Sequence, residues 1–82
     1  MGGCATRAEI IDMVGAALNS PAKSDLNVFK DVNDIPEWAS QNFEKLHAEG
    51  IIQGDNFGKV NPKAFITRAE FSKIIAIAFN FI

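Results

Sequence analysis

The chain has 82 residues, 48% of them apolar and 22% charged, with a net charge of −2. That length suits one small domain with a modest core, and the composition argues for a folded protein and against disorder. The basic residues are scattered, which argues against nucleic acid as a partner, and no stretch reaches the roughly 18 apolar residues of a membrane span.

The chain opens on a Gly-rich leader that ends in Cys4, its only cysteine. One thiol cannot staple the fold internally, so stability has to come from packing or from a partner chain. Met1-Gly2-Gly3-Cys4-Ala5-Thr6 also fits the loose myristoylation pattern, with Cys4 placed for a second acyl group, but chance is the better reading of so short a match. The start does not read as a signal peptide, so the sequence is not that of a secreted precursor, which leaves a mature or excised segment open.

A first helix is expected from Thr6 to about Asn19, with Ile10, Val14, Ala17 and Leu18 on one face and Met13 beside them. Ser20-Pro21 ends it. Residues 21–35 lack helical periodicity and form a connection whose expected anchors are Val28, Phe29 and Val32. The second helix is expected to start near Asp34, whose side chain can cap it, with Pro36 in the first turn and Glu37 favourable to the helix dipole. Trp38, Ala39, Phe43 and Leu46 recur at helical spacing, His47 reads as a surface residue, and Gly50 suits the left-handed residue after the last turn.

Ile51-Ile52 returns the chain to the core before Gly54, Asp55, Asn56 and Gly58 make a turn. Val60-Asn61-Pro62 leads into a third helix, expected over about Thr67 to Phe81. Its stripe is Phe71, Ile74, Ile75 and Ala78. Ile77, Phe79, Phe81 and Ile82 add more apolar surface than one small partner helix can bury. The fold class is therefore all-α.

One phrase occurs twice: Thr6-Arg7-Ala8-Glu9 and Thr67-Arg68-Ala69-Glu70. It has the form of a capping box, in which Thr6 and Glu9, or Thr67 and Glu70, satisfy two orphan N–H donors of the helix start reciprocally. Ile66 and Phe71 have the spacing of a hydrophobic staple, with Ala5 and Ile10 as a weaker version. The Arg is not explained by capping, because a cation at the first helical position opposes the dipole. Two readings stand side by side. Arg7 and Arg68 pair with a nearby acid or lay their stems on the surface, or they join free N–H groups in holding a carboxylate or phosphate.

Aligned at an offset of 61 residues, from Thr6 to Thr67, the two phrases bring Thr6–Asn19 over Thr67–Asn80 with apolar positions matched in character. Residues 1–20 then read as the closing helix of one repeat and residues 21–82 as a complete repeat within a single small domain. One repeat and a fraction calls for partner surfaces, since repeat units bury their apolar faces on neighbours.

The ordered set Phe29-x-Asp31-Val32, Trp38-Ala39, Leu46, Gly50-Ile51-Ile52-x-Gly54, Asn61-Pro62 and Ile66-Thr67-Arg68-Ala69-Glu70-Phe71 resembles an S-layer homology motif over residues 29 to about 80. The resemblance implies helix-loop-helix repeats forming part of a pseudo-threefold helical bundle, completed here by self-association or by further motifs. It also implies non-covalent anchoring at the bacterial cell surface, on an extracellular secondary cell-wall polysaccharide whose amino sugar carries a pyruvate ketal. By position, Arg7 and Arg68 would bind the anionic group, with Asp31, Trp38, Gly50 and Gly54 completing the pockets. Glycines allow close backbone approach and a Trp face can stack on a sugar ring. Trp38 as a core residue, Gly50 as a plain helix stop and Asp31 as a turn cap are the alternatives at those positions.

An enzyme is set aside: His47 is the sole histidine and no Ser or Cys has a recognisable base partner. Neither Asp31-Val32-Asn33-Asp34 nor Asp55-Asn56 has the ligand spacing of a calcium motif, so no metal and no cofactor is implied. The competing function is a self-assembly module of a surface layer that binds no glycan.

Overall fold

The computed structural model describes residues 5–18 and 20–79. The leader with Cys4 and its acylation pattern, Asn19, Asn80, Phe81 and Ile82 lie outside the described residues. Three helices follow one another: α1 (Arg7–Ala17), α2 (Glu37–Ala48) and α3 (Arg68–Phe79). Short 3₁₀ turns at Leu26–Val28 and Val32–Asp34 interrupt the first connection. The described residues are mainly helical and form no strand, although Thr6 and Phe65 make an isolated antiparallel bridge.

The closest packing is α1 on α2, and Gly15 permits it. A Cβ at position 15 would stand 2.5 Å from the Cβ of Asn42, well inside van der Waals contact. Asn42 uses the proximity to donate from Nδ2 to the Asp12 carbonyl (3.1 Å) and to Asp12 Oδ1 (2.7 Å). One turn on, Lys45 Nζ donates to the carbonyls of Gly15 (2.8 Å) and Leu18 (3.0 Å), which places a cation on the orphan acceptors at the α1 C-terminus. Ile11, Phe43 and Leu46 are fully buried between the helices, and Ile51, Ile52, Val60, Ile74 and Ala78 extend that core.

The first connection anchors differently from the sequence expectation. Leu26 and Phe29 are buried, Val32 is half-buried against the core and Val28 is exposed. The 3₁₀ turn is the reason: side chains three residues apart eclipse in it, so Leu26 and Phe29 share the inner side and Val28 faces out. His47 is also not a plain surface residue. Its ring meets Phe29 edge-on at a centroid distance of 4.8 Å, and its Nδ1 lies 2.9 Å from Ser24 Oγ. Because Ser24 Oγ donates to the Glu44 carbonyl (3.1 Å), the contact requires a proton on His47 Nδ1.

Helix α2 starts three residues later than Asp34. A residue preceding proline is driven out of the helical region, and Ile35 is extended (φ −74°, ψ 120°), so Pro36 becomes the N-cap and Asp34 stays in the 3₁₀ turn. The other end closes in a Schellman motif. Gly50 has φ +77°, its N–H donates to the His47 carbonyl (3.0 Å), and the Ile51 N–H donates to the Leu46 carbonyl (2.8 Å). Along α3, Ile74 and Ala78 are buried and Ile75 and Ile77 half-buried, while Phe71 and Phe79 stay exposed.

Gly15→Ala should therefore destabilise the protein by about 1–3 kcal/mol, despite the better helix propensity of alanine, because Asn42 has to be displaced. Urea unfolding checks this; an unchanged or raised midpoint would mean that the α1–α2 contact is looser than the geometry indicates.

Candidate functional site

The N-terminus of α1 docks on the segment that leads into α3. The Arg7 N–H donates to the Ala64 carbonyl (2.9 Å), the Ala8 N–H to the Pro62 carbonyl (3.0 Å) and the Ile66 N–H back to the Ala5 carbonyl (3.1 Å). The Glu9 N–H donates to Thr6 Oγ1 (3.2 Å), and Glu9 Oε1 accepts from the Thr6 N–H (2.8 Å). The donors of this helix start are thus engaged within the chain. An anion at Arg7 would meet the side chain and not the helix end.

The Arg7 side chain spans the same joint. Its Nε donates to the Val60 carbonyl (2.9 Å) and its Nη1 to Glu70 Oε2 (2.5 Å), with 15% of the side chain exposed. Glu70 Oε1 in turn accepts from the Thr67 N–H (3.0 Å) and Thr67 Oγ1 (3.1 Å), while the Glu70 N–H donates to Thr67 Oγ1 (3.1 Å). The Thr67 N–H and then the nearby Arg7 charge hold the Glu70 carboxyl below its ordinary value.

Two further carboxylates fix the loop that presents Val60. Asp31 accepts from the Val60 N–H at Oδ1 (3.0 Å) and the Asn61 N–H at Oδ2 (2.8 Å), which holds Asn61 in a left-handed conformation (φ 51°). Asp55 Oδ1 accepts from the Phe57 N–H (2.8 Å) and the Lys59 N–H (3.0 Å), and its Oδ2 from Asn61 Nδ2 (3.0 Å). The Asn61 amide, followed by the Lys59 and Phe57 N–H groups, keeps the Asp55 carboxyl below the usual range.

Between these parts lies an open cavity of about 270 Å³. The segment Gly50–Asp55 forms one wall, Glu70, Lys73, Ile74 and Ile77 of α3 the other, and Arg7, Lys59 and Asn61 the rim. Of the residues singled out in the sequence, Arg7, Gly50 and Gly54 line it. Asp31 does not line it and acts on it through Val60 and Asn61. Trp38, 60% exposed on α2, and Arg68, exposed at the first position of α3, are not part of its lining. Glu70, singled out as a helix cap, lines it too; Asn61 was named only within the Asn61-Pro62 phrase, and Lys59 and Lys73 were not singled out. A signal for Lys73 exists in its place three residues after Glu70, on the same helix face.

The charge balance of the cavity is one-sided. Both carboxylates have their oxygens occupied by protein donors. Lys59 and Lys73 make no ion pair among the described residues, and Arg7 Nη2 and the N–H groups of Gln53 and Gly54 have no hydrogen-bond partner among them. The unengaged polar groups of the charged side chains are donors. No group of three metal-ligating side chains occurs among the described residues, and none of their helices is long and apolar enough to cross a membrane. A second, apolar groove of about 260 Å³ runs between α1 and α3, lined by Met13, Val14, Leu18, Phe71, Ile75 and Phe79 among others.

The S-layer homology domain family model matches residues 28–72, more than half of the chain. Comparison with curated proteins and with solved structures gave no match.

The Glu70 contacts predict an acid-side loss of stability. Its carboxyl is lowered in the folded state, so its contribution is present above the ordinary value of 4.5 and is lost as pH falls through the lower folded value. Thermal midpoints across pH 6 to about 3 should fall less steeply in Glu70→Gln than in the parent; parallel profiles would show that this pair carries no pH dependence.

Proposed function

The chain belongs to the S-layer homology domain family, and on that premise we propose that it anchors its protein by holding pyruvate-ketal carboxylates of a secondary cell-wall polysaccharide in the Arg7 cavity. Membership associates the chain with the cell wall and surface layer, and with binding rather than catalysis. The observation that carries the finer reading is the set of unengaged donors on the residues around one small cavity: Arg7 Nη2, Lys59 and Lys73, beside the N–H groups of Gln53 and Gly54. A carboxylate is the complement to such a set, and charge-assisted hydrogen bonds from a guanidinium are among the stronger polar contacts. The volume is small for a drug-sized ligand, which suits one substituted sugar unit.

In this reading Gly50 and Gly54 keep the wall low beside the sugar, and Asp31 holds the loop that orients Arg7. Arg68 and Trp38, both exposed, serve a neighbouring groove formed with a further motif or a second copy. Residues 1–20 act as the closing helix of one repeat and residues 21–82 as a complete one. A second reading, assembly without glycan binding, is favoured by the apolar groove between α1 and α3, where Met13 and Phe79 are 58% and 66% exposed.

Sedimentation of the folded chain with pyruvylated cell-wall polysaccharide, beside polymer stripped of its ketals, tests the proposal. Co-sedimentation with the intact polymer alone, weakened by added salt, is the expected result. No binding to either polymer would remove the anchoring reading and favour assembly.

A further inference from the structure

We propose that Lys73 is the specificity-determining cation of the cavity, supplying the positive charge that a ligand carboxylate needs beyond what Arg7 can offer. The inference rests on the reading of the cavity as a carboxylate site. Arg7 is committed on two sides, to the Val60 carbonyl through Nε and to Glu70 through Nη1. Its charge is therefore largely balanced before a ligand arrives, and a carboxylate docking on the remaining edge would face the like charge of Glu70.

Lys59 makes no ion pair among the described residues either, but a carboxylate opposes its charge at longer range. It lies near Asp55, where it helps to hold that carboxyl below its usual range. Lys73 has no such partner among the described residues: it is exposed, unpaired within 4 Å, and lines the cavity from α3. Its place three residues beyond Glu70 puts it on the face that looks into the site, and its flexible stem lets the ammonium follow a carboxylate set slightly away from Arg7. Ile74 and Ile77 beside it give the apolar wall that the methyl group of a pyruvate ketal requires.

The repeat supports a role outside the structural pattern. At the offset of 61 residues Lys73 corresponds to Asp12, which accepts a hydrogen bond from Asn42 in the α1–α2 contact. The helix scaffold thus accommodates opposite charges at this position. A groove built on an acid there would repel the ligand that Lys73 attracts, so this one side chain separates binding from non-binding grooves made of the same elements.

Calorimetric titration of the whole chain tests this, with a methyl glycoside of an amino sugar carrying a pyruvate ketal as the probe and the ketal-free glycoside as reference. The parent should bind the ketal probe alone. Lys73→Ala should weaken binding about tenfold and lower its salt dependence, Lys73→Arg should restore it, and Lys63→Ala, remote on the Asp34 ion pair, should leave it unchanged. Thermal midpoints should match throughout, because Lys73 is exposed. Ketal-dependent binding that persists undiminished in Lys73→Ala would overturn the role of Lys73 and leave the carboxylate site standing. Failure of the parent to distinguish the probes would overturn both.

Discussion

The ion pair between Arg7 and Glu70, 63 residues apart in sequence, is the interaction on which the rest of the structure depends. It joins the two copies of one phrase: the Arg of the first Thr-Arg-Ala-Glu meets the Glu of the second. That answers why a cation stands at the first position of a helix, where the dipole disfavours it. Glu9 and Glu70 each cap their own helix, and Glu70 also receives the Arg of the other phrase. Arg68, in the same position on α3, is exposed and makes no ion pair among the described residues.

The joint does more than link two helices. Asp31 holds the N–H groups of Val60 and Asn61, the Val60 carbonyl holds Arg7, and Asp55 holds Asn61 from the other side. Three acids are thereby consumed in building the loop and the connector. The cations nearby are left in excess at the cavity edge, so a surface with an overall net charge of −2 still contains a donor-rich site. Structural use of the carboxylates leaves Lys59, Lys73 and Arg7 Nη2 as the unengaged charged groups of the cavity.

The helical architecture was legible because Ala39, Phe43 and Leu46, or Ile74 and Ala78, repeat at helical spacing, and the family because its short phrases recur in order. The irregular parts were less so. Val28 and Leu26 cannot be ranked as anchors without knowing that a 3₁₀ turn brings positions 26 and 29 together, and the extended residue before Pro36 outweighs the capping chemistry of Asp34. At the site, Arg7, Gly50 and Gly54 could be picked out by type and position. Lys73 was not, because an isolated lysine on a helix resembles any solvated charge, and its spacing of three from Glu70 gains meaning only once the fold brings both to the Arg7 cavity. The engagement of the α1 N–H groups by the carbonyls of Pro62 and Ala64 is a long-range contact with no sequence signature.

The central claim is that the Arg7 side chain serves both as the connector and as a contact for a carboxylate. Side-chain ¹⁵N spectra of the Arg7 guanidinium, followed while the pyruvate-ketal glycoside is added to the chain, test it most directly. The account predicts a saturable shift of the Nη resonances with the ketal probe and none with the ketal-free sugar, with Nε still protected by Val60. Binding of the ketal probe that leaves every Arg7 resonance unmoved would contradict it.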